Sequence, residues 1–156
     1  MPVPGRIEIW DVVTNKRLKT APFEFEEINA AAFSPDGTWL VATGGNHVAY
    51  WKWQEGDKYE RLHVGRRIRS VAFSPDSRLL AEGPDSRTTL EIRDLATLKV
   101  VQAVHDERKL DLRTGGLAFA DEGRTLIAGN EQTFVETVKV PHRIRLWDVK
   151  TGRLKG

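Results

Sequence analysis

The chain has 156 residues, 29% charged and 40% hydrophobic, a balance that suits a folded domain and excludes a disordered polymer. Lys and Arg number 24 against 22 Asp and Glu, so the net charge is +2, well short of the concentrated positive charge of a nucleic-acid binder. Cysteine is absent, which excludes disulfides and zinc–thiolate sites, and no apolar run approaches the ~18–20 residues that span a bilayer.

The start, Met1-Pro2-Val3-Pro4-Gly5-Arg6, lacks the apolar core of a signal peptide, so a cytoplasmic protein without membrane contact is expected. Ile7-Glu8-Ile9-Trp10-Asp11 then alternates apolar and polar residues, which reads as a strand with one face inward. Thr14-Asn15-Lys16 is a polar turn leading to a further strand at Leu18. Next comes Ala32-Phe33-Ser34-Pro35-Asp36-Gly37 followed by Trp39-Leu40-Val41, which is strand, turn, strand. Pro fixes φ early in the turn, Asp caps its amides and Gly takes the positive-φ position.

Both units recur. The turn unit returns as Ala72-Phe73-Ser74-Pro75-Asp76-Ser77 and, more worn, as Ala118-Phe119-Ala120-Asp121-Glu122-Gly123. The alternating unit returns as Val48-Ala49-Tyr50-Trp51-Lys52, Leu90-Glu91-Ile92-Arg93-Asp94 and Ile144-Arg145-Leu146-Trp147-Asp148. From Trp10 to Trp51 to Arg93 to Trp147 the steps are 41, 42 and 54 residues. A period in this range marks a repeat architecture. Each repeat reads as four short strands, a to d: a ends at the phenylalanine, b follows the Pro/Asp/Gly turn, c carries the Trp-Asp position and d follows it.

Val71-Ala72-Phe73-Ser74-Pro75-Asp76 and Ile144-Arg145-Leu146-Trp147-Asp148-Val149-Lys150-Thr151-Gly152 resemble WD40 repeats of the bacterial kind, and the resemblance covers roughly residues 6–156. It implies an all-β fold, a segment of a β-propeller with about three and a half four-stranded antiparallel blades, as an open arc or half ring. Residues 1–27 would be a partial blade of strands c and d, 28–67 a blade, 68–113 a blade with a d–a loop insertion, and 114–156 a blade with a b–c hairpin insertion and a truncated last strand. Phe33, Phe73 and Phe119 should pack between blades. Trp10, Trp51 and Trp147 occupy the packing position, while Trp39 and Trp53 should be partly exposed.

The family's blades also carry a hydrogen-bonded tetrad: a histidine before strand a, Ser or Thr on strand b, Asp in the b–c turn and the strand-c tryptophan. The resemblance places His63 near the first position, Glu82 at the second, Asp85 in the turn and Arg93 in place of the tryptophan. Glu82 and Arg93 are expected to form an ion pair that replaces the Ser–Trp bond, since buried polar groups must pair. The alternative sends both side chains to solvent. The other blades carry Ala42 and Ala128 at the strand-b position.

Two stretches exceed the repeat. The spans Phe33–Trp51, Phe73–Arg93 and Phe119–Trp147 are 18, 20 and 28 residues, which puts an insertion within 130–143. Alternation from Thr133 to Val140 suggests a projecting hairpin. A second insertion lies within 105–113. The family's b–c and d–a loops emerge on one face, and variable loops on a rigid scaffold are where binding concentrates. Candidate partner-binding residues are Arg66, Arg67, Arg108, Lys109, Phe134, Glu136, Lys139 and His142, against the plainer reading of surface decoration. Arg61, Arg66, Arg67 and Arg69 form a local basic run, suited to an acidic partner or to a solvated loop.

No histidine spacing suits a metal, and there is no Gly-rich phosphate loop or nucleophile–base pair. The expected function is a non-catalytic interaction scaffold for a protein or peptide, with no cofactor, metal or nucleic acid. The alternative is a structural segment of a larger protein without a site of its own. Unpaired strand edges would favour a homo-oligomer or pairing with the rest of a longer propeller.

Overall fold

The computed structural model describes residues 5–85, 89–104, 114–130, 134–135, 138–139 and 144–155. Within them the chain forms antiparallel sheets in sequence order. The first pairs β1 (Glu8–Asp11) with β2 (Lys16–Thr20). The second runs β3 (Ala30–Phe33), β4 (Leu40–Gly44), β5 (His47–Trp51), β6 (Tyr59–His63), each beside the next. The third repeats that order with β7 (Ile68–Phe73), β8 (Leu79–Pro84), β9 (Leu90–Asp94) and β10 (Val100–Val104). The fourth sets β11 (Thr114–Ala120) against β12 (Thr125–Asn130) and β12 against β15 (Ile144–Asp148), with a single further bridge from Trp147 to Leu154. Between β12 and β15 lies a separate small ladder, β13 (Phe134–Val135) with β14 (Val138–Lys139), where the sequence suggested a hairpin.

The innermost strands adjoin, β3 next to β7 and β7 next to β11, so the sheets follow one another as blades. Alternation along each strand gives every sheet two apolar faces. Leu40 pairs with Trp51 and Ala42 with Ala49, and all four pack back onto Ile9 of the first sheet. The intervening Val41, Val48 and Tyr50 pack forward onto Ile68, Leu80 and Leu95 of the third. Ala81, Leu90 and Ile92 repeat the forward face and meet Leu126, Ala128 and Trp147 of the fourth. The hydrophobic interior is therefore three successive layers between sheets.

The a–b turns close as their residues dictate. Ser34 Oγ donates to Asp36 Oδ1 at 2.5 Å, and Asp36 accepts the Thr38 amide at 3.0 Å. Ser74 and Asp76 repeat this at 2.6 Å, with the Arg78 amide at 3.1 Å. Gly37 takes φ 73° and Ser77 the same left-handed region at φ 59°, which only glycine adopts freely. Ser77 has a compensating contact: its hydroxyl accepts the Asp36 amide at 3.0 Å and ties two neighbouring turns together. At the c–d turns Asp94 and Asp148 each accept the amide and hydroxyl of the threonine three residues on, at 2.8–2.9 Å.

Two packing expectations need correction. Phe73 and Phe119 pack against the layers between sheets, but Phe33 is 46% exposed and meets the Trp53 ring edge-on at 5.8 Å. Trp51 and Trp147 are fully buried, but Trp10 is 50% exposed. Both outliers share one cause. These side chains face back toward a preceding sheet. For Phe33 that sheet is β1 and β2 alone, without the inner strands a and b; for Trp10 no sheet precedes it among the described residues. Trp39 and Trp53 are half-buried.

Candidate functional site

The b–c turns and d–a linkers emerge together at one end of the sheets. Two hollows open there. The first, about 320 Å³, is lined by Glu27, Ile28, Asn29, Arg67, Arg69 and Asp85. Arg67 organises it: its Nε and Nη2 donate to Asn29 Oδ1 at 3.2 and 3.1 Å, and Nη2 also pairs with Glu27. One guanidinium thus bridges two successive d–a linkers. Arg69 Nη1 meets Asp85 Oδ1 at 3.2 Å across the strand a–strand b pair. The fork of donors on each arginine suits carboxylates and peptide carbonyls.

The second hollow, about 550 Å³, is lined by Glu24, Phe25, Glu26, Gly44, Gly45, Asn46, His47, Arg61 and His63. The Arg61 guanidinium lies 5.0 Å over the Phe25 ring, a cation–π arrangement. His47 and His63 stand directly opposite each other on β5 and β6 with ring centroids 5.0 Å apart. Burial, then the charges of Arg61 and His63, hold the His47 imidazole below its ordinary value. Among the described residues no group of three or more His, Asp or Glu side chains gathers to hold a metal.

The charged pair on the third sheet lies deeper, against the second sheet. Glu82 is fully buried, and Arg93 Nε and Nη2 donate to its two carboxylate oxygens at 2.9 and 3.2 Å. Arg93 Nη1 also donates to the Leu98 carbonyl at 2.7 Å, so the guanidinium closes its own c–d turn. Burial works against the Arg93 charge, but hydrogen bonding and attraction to Glu82 outweigh it and raise its pKa. From the sheet before, Tyr50 donates its phenol to Glu82 Oε1. Burial first, then the Glu82 charge, push that phenol well above its ordinary value. Glu91, opposite Glu82 in the ladder, lies 3.7 Å from Arg93 and 2.5 Å from Arg66, the latter a close ion contact without hydrogen-bond angles. Two carboxylates and two guanidiniums therefore balance to zero charge between the sheets.

His63 and Asp85 do not join this group. His63 ends β6 and is spent on His47, while Asp85 faces Arg69 at the rim. Glu82 has a further polar neighbour in Tyr50, which comes from another repeat and so escapes any pattern read within one blade. Its signal was alternation: Ala49 and Trp51 point back, so Tyr50 points forward. Of the loop candidates, Arg66 contacts Glu91 and Arg67 lines the first hollow, while Phe134 and Lys139 are ladder partners in β13 and β14. Arg108, Lys109, Glu136 and His142 lie outside the described residues.

The comparisons with known proteins agree with this geometry. The family described as WD domain, G-beta repeat matches residues 16–52. That stretch runs from β2 to β5, one strand d followed by a, b and c of the next sheet. Over those residues the chain is similar to WD40 repeats. An uncharacterized WD repeat-containing protein of Deinococcus radiodurans is 27% identical over 140 residues, 80% of this chain and 51% of that protein. The WD repeat and SOCS box-containing protein 1 of Homo sapiens is 34% identical over 80 residues, 49% of the chain and 19% of its own length. The small ribosomal subunit protein RACK1 of Medicago sativa is 33% identical over 89 residues, 56% of the chain and 25% of its own. Among solved structures, Kuenenia stuttgartiensis hydrazine synthase superposes with a TM-score of 0.81 over 97% of this chain and 42% of that one, at 17% identity. The likeness is one of fold. The chain spans about half the length, or less, of these proteins.

Proposed function

We propose that this chain is a non-catalytic platform that binds a protein or peptide through the face carrying the b–c and d–a loops. The observation that carries the reading is the first hollow, where Arg67 and Asn29 set a polar, two-signed floor between consecutive blades. Arg67 and Arg69 on one side and Glu27 and Asp85 on the other offer donors and acceptors to a peptide backbone. Polar side chains of this kind orient a partner and give specificity more than raw affinity. The relatives named above include a small ribosomal subunit protein, which by its name works as part of an assembly.

One observation favours the structural alternative: both arginines already have carboxylate partners within the chain. The two readings part in a peptide-display selection against the folded chain. Selected peptides should bind wild type and Lys150→Glu, a change in a c–d turn at the opposite end. They should lose at least tenfold in affinity on Arg67→Gln with Arg69→Gln, with circular dichroism unchanged. Failure to select any peptide, or equal binding by the double variant, would leave the structural reading standing.

A further inference from the structure

His47 and His63 are remote in the chain, so no spacing read along the sequence joins them; they meet because β5 and β6 pair in register. The Val64 amide donates to the Asn46 carbonyl at 2.9 Å, which makes the next pair, His47 with His63, one without ladder hydrogen bonds of its own. At such pairs the two side chains stand closest. The ring centroids are 5.0 Å apart and the planes 36° from parallel. Metal–imidazole bonds are about 2.0–2.1 Å long, so two rings held by one ion in neighbouring coordination positions have centroids about 5 Å apart. The observed spacing is therefore that of a chelating pair. Among the described residues neither imidazole has a hydrogen-bond partner, which leaves its nitrogens open to the hollow of about 550 Å³ that both rings line.

We propose that His47 and His63 form a two-histidine clip for a divalent cation of the first transition row, Cu²⁺, Ni²⁺ or Zn²⁺, whose other coordination positions are taken by water in the hollow. Imidazole suits these ions, whereas Mg²⁺ and Ca²⁺ seek oxygen ligands. The ladder holds the clip ready. On its inner side His47 stands opposite Gly44, where a Cβ would collide with the Phe25 ring and the Glu27 carbonyl, so the linker that walls the hollow is seated directly on β4. The lowered pKa of His47 keeps it in the neutral form that ligates a metal. One charge works against a cation here. Arg61, which lies over the Phe25 ring, lines the same hollow, and the carboxylates of Glu24 and Glu26 line it with opposite sign. Removal of the Arg61 charge should therefore strengthen binding, a sign that a purely structural histidine pair does not predict.

The test is isothermal titration of the full chain with NiCl₂ at neutral pH and low salt, repeated with the chlorides of copper and magnesium. Wild type should bind one Ni²⁺ per chain, Cu²⁺ more tightly, and Mg²⁺ not at all. His47→Ala and His63→Ala should each lose at least tenfold in affinity. His63 is exposed, so its variant should keep the fold, which circular dichroism checks. Replacing His105 and His142, the other two histidines of the sequence, should leave the affinity unchanged. Arg61→Gln should bind at least twofold more tightly. Ni²⁺ should also raise the urea midpoint of wild type but not of His63→Ala, because only the folded ladder holds both rings together. No saturable binding of Ni²⁺ or Cu²⁺, binding that survives His63→Ala, or equal or weaker binding by Arg61→Gln would overturn the proposal and leave the two rings as a packing contact.

Discussion

The boundary between the second and third sheets and the boundary between the third and fourth use equivalent positions for opposite chemistry. At the later boundary the backward face offers Ala128 and Trp147, and apolar packing dominates. At the earlier one the same two positions hold Glu82 and Arg93, joined across the gap by Tyr50. At the later boundary the indole nitrogen is unmet: Trp147 Nε1 is buried without a hydrogen-bond partner. The polar version pairs Glu82 with both Arg93 and Tyr50 but makes each depend on the others. A blade of this chain can therefore be docked by shape or by a run of paired charges, and the second choice is the more fragile to single changes.

The largest effect should come from stranding a charge. Arg93→Ala leaves the Glu82 carboxylate buried with one partner fewer and should cost roughly 3–5 kcal/mol in urea unfolding. Converting the pair to its neighbour's chemistry, Glu82→Ala with Arg93→Trp, should restore stability to within about 1 kcal/mol of wild type or better, because well-packed apolar groups commonly match a buried ion pair. A double variant as unstable as Arg93→Ala would break the equivalence drawn between the two boundaries.

Tyr50→Phe comes next. It removes one donor from a buried carboxylate and should cost about 1–3 kcal/mol. The same residue sets an alkaline limit. Its pKa is raised on folding, so its contribution is complete below the ordinary tyrosine value of about 10 and is lost as pH climbs beyond it, where the unfolded chain ionises first. Unfolding curves from pH 8 to 11 should show this loss in wild type and a smaller one in Tyr50→Phe.

A smaller effect of opposite sign tests the apolar boundary. Ala128→Ser places a hydroxyl beside Trp147 and should stabilise by about 0.5–1.5 kcal/mol if it accepts the Nε1 proton. An unchanged or lower unfolding midpoint would show that the indole tolerates its isolation. Smallest of all should be the difference between the two c–d turns. Asp94 and Asp148 both have lowered pKa values because Thr97 and Thr151 donate to them. Their contributions stand above the ordinary aspartate value of about 4 and are lost as pH falls below it. Asp94→Asn and Asp148→Asn should blunt the acid loss alike, whatever the chemistry of the blade boundary above them.

Much of this organisation was legible in the chain. The Ser-Pro-Asp turns and Trp-Asp strands specify their hydrogen bonds locally, so β3 to β10 follow from pattern alone. The pairing of Glu82 with Arg93 was legible too, because two rare charges fell where the WD40 resemblance puts two hydrogen-bonded neighbours. What stayed hidden depends on neighbours distant in sequence. Phe33 and Trp10 carry the residue types of packed positions, yet their exposure is set by what stands in front of them. His63 was assigned by its distance from strand a, whereas its register opposite His47 decides its contact. Tyr50, Glu91 and the Glu27–Asn29–Arg67 bridge join residues of different repeats, and a period read along one chain does not report which faces meet.

The most direct test of a charge-docked blade is a double-mutant cycle on Glu82→Ala and Arg93→Ala, followed by urea unfolding at one fixed protein concentration. The account predicts a favourable coupling of about 1–3 kcal/mol, as for contacting residues in one network, with the double variant less damaged than the sum of the singles. Additive losses with a coupling near zero would contradict it, and would mean that the two charges share a boundary without holding it together.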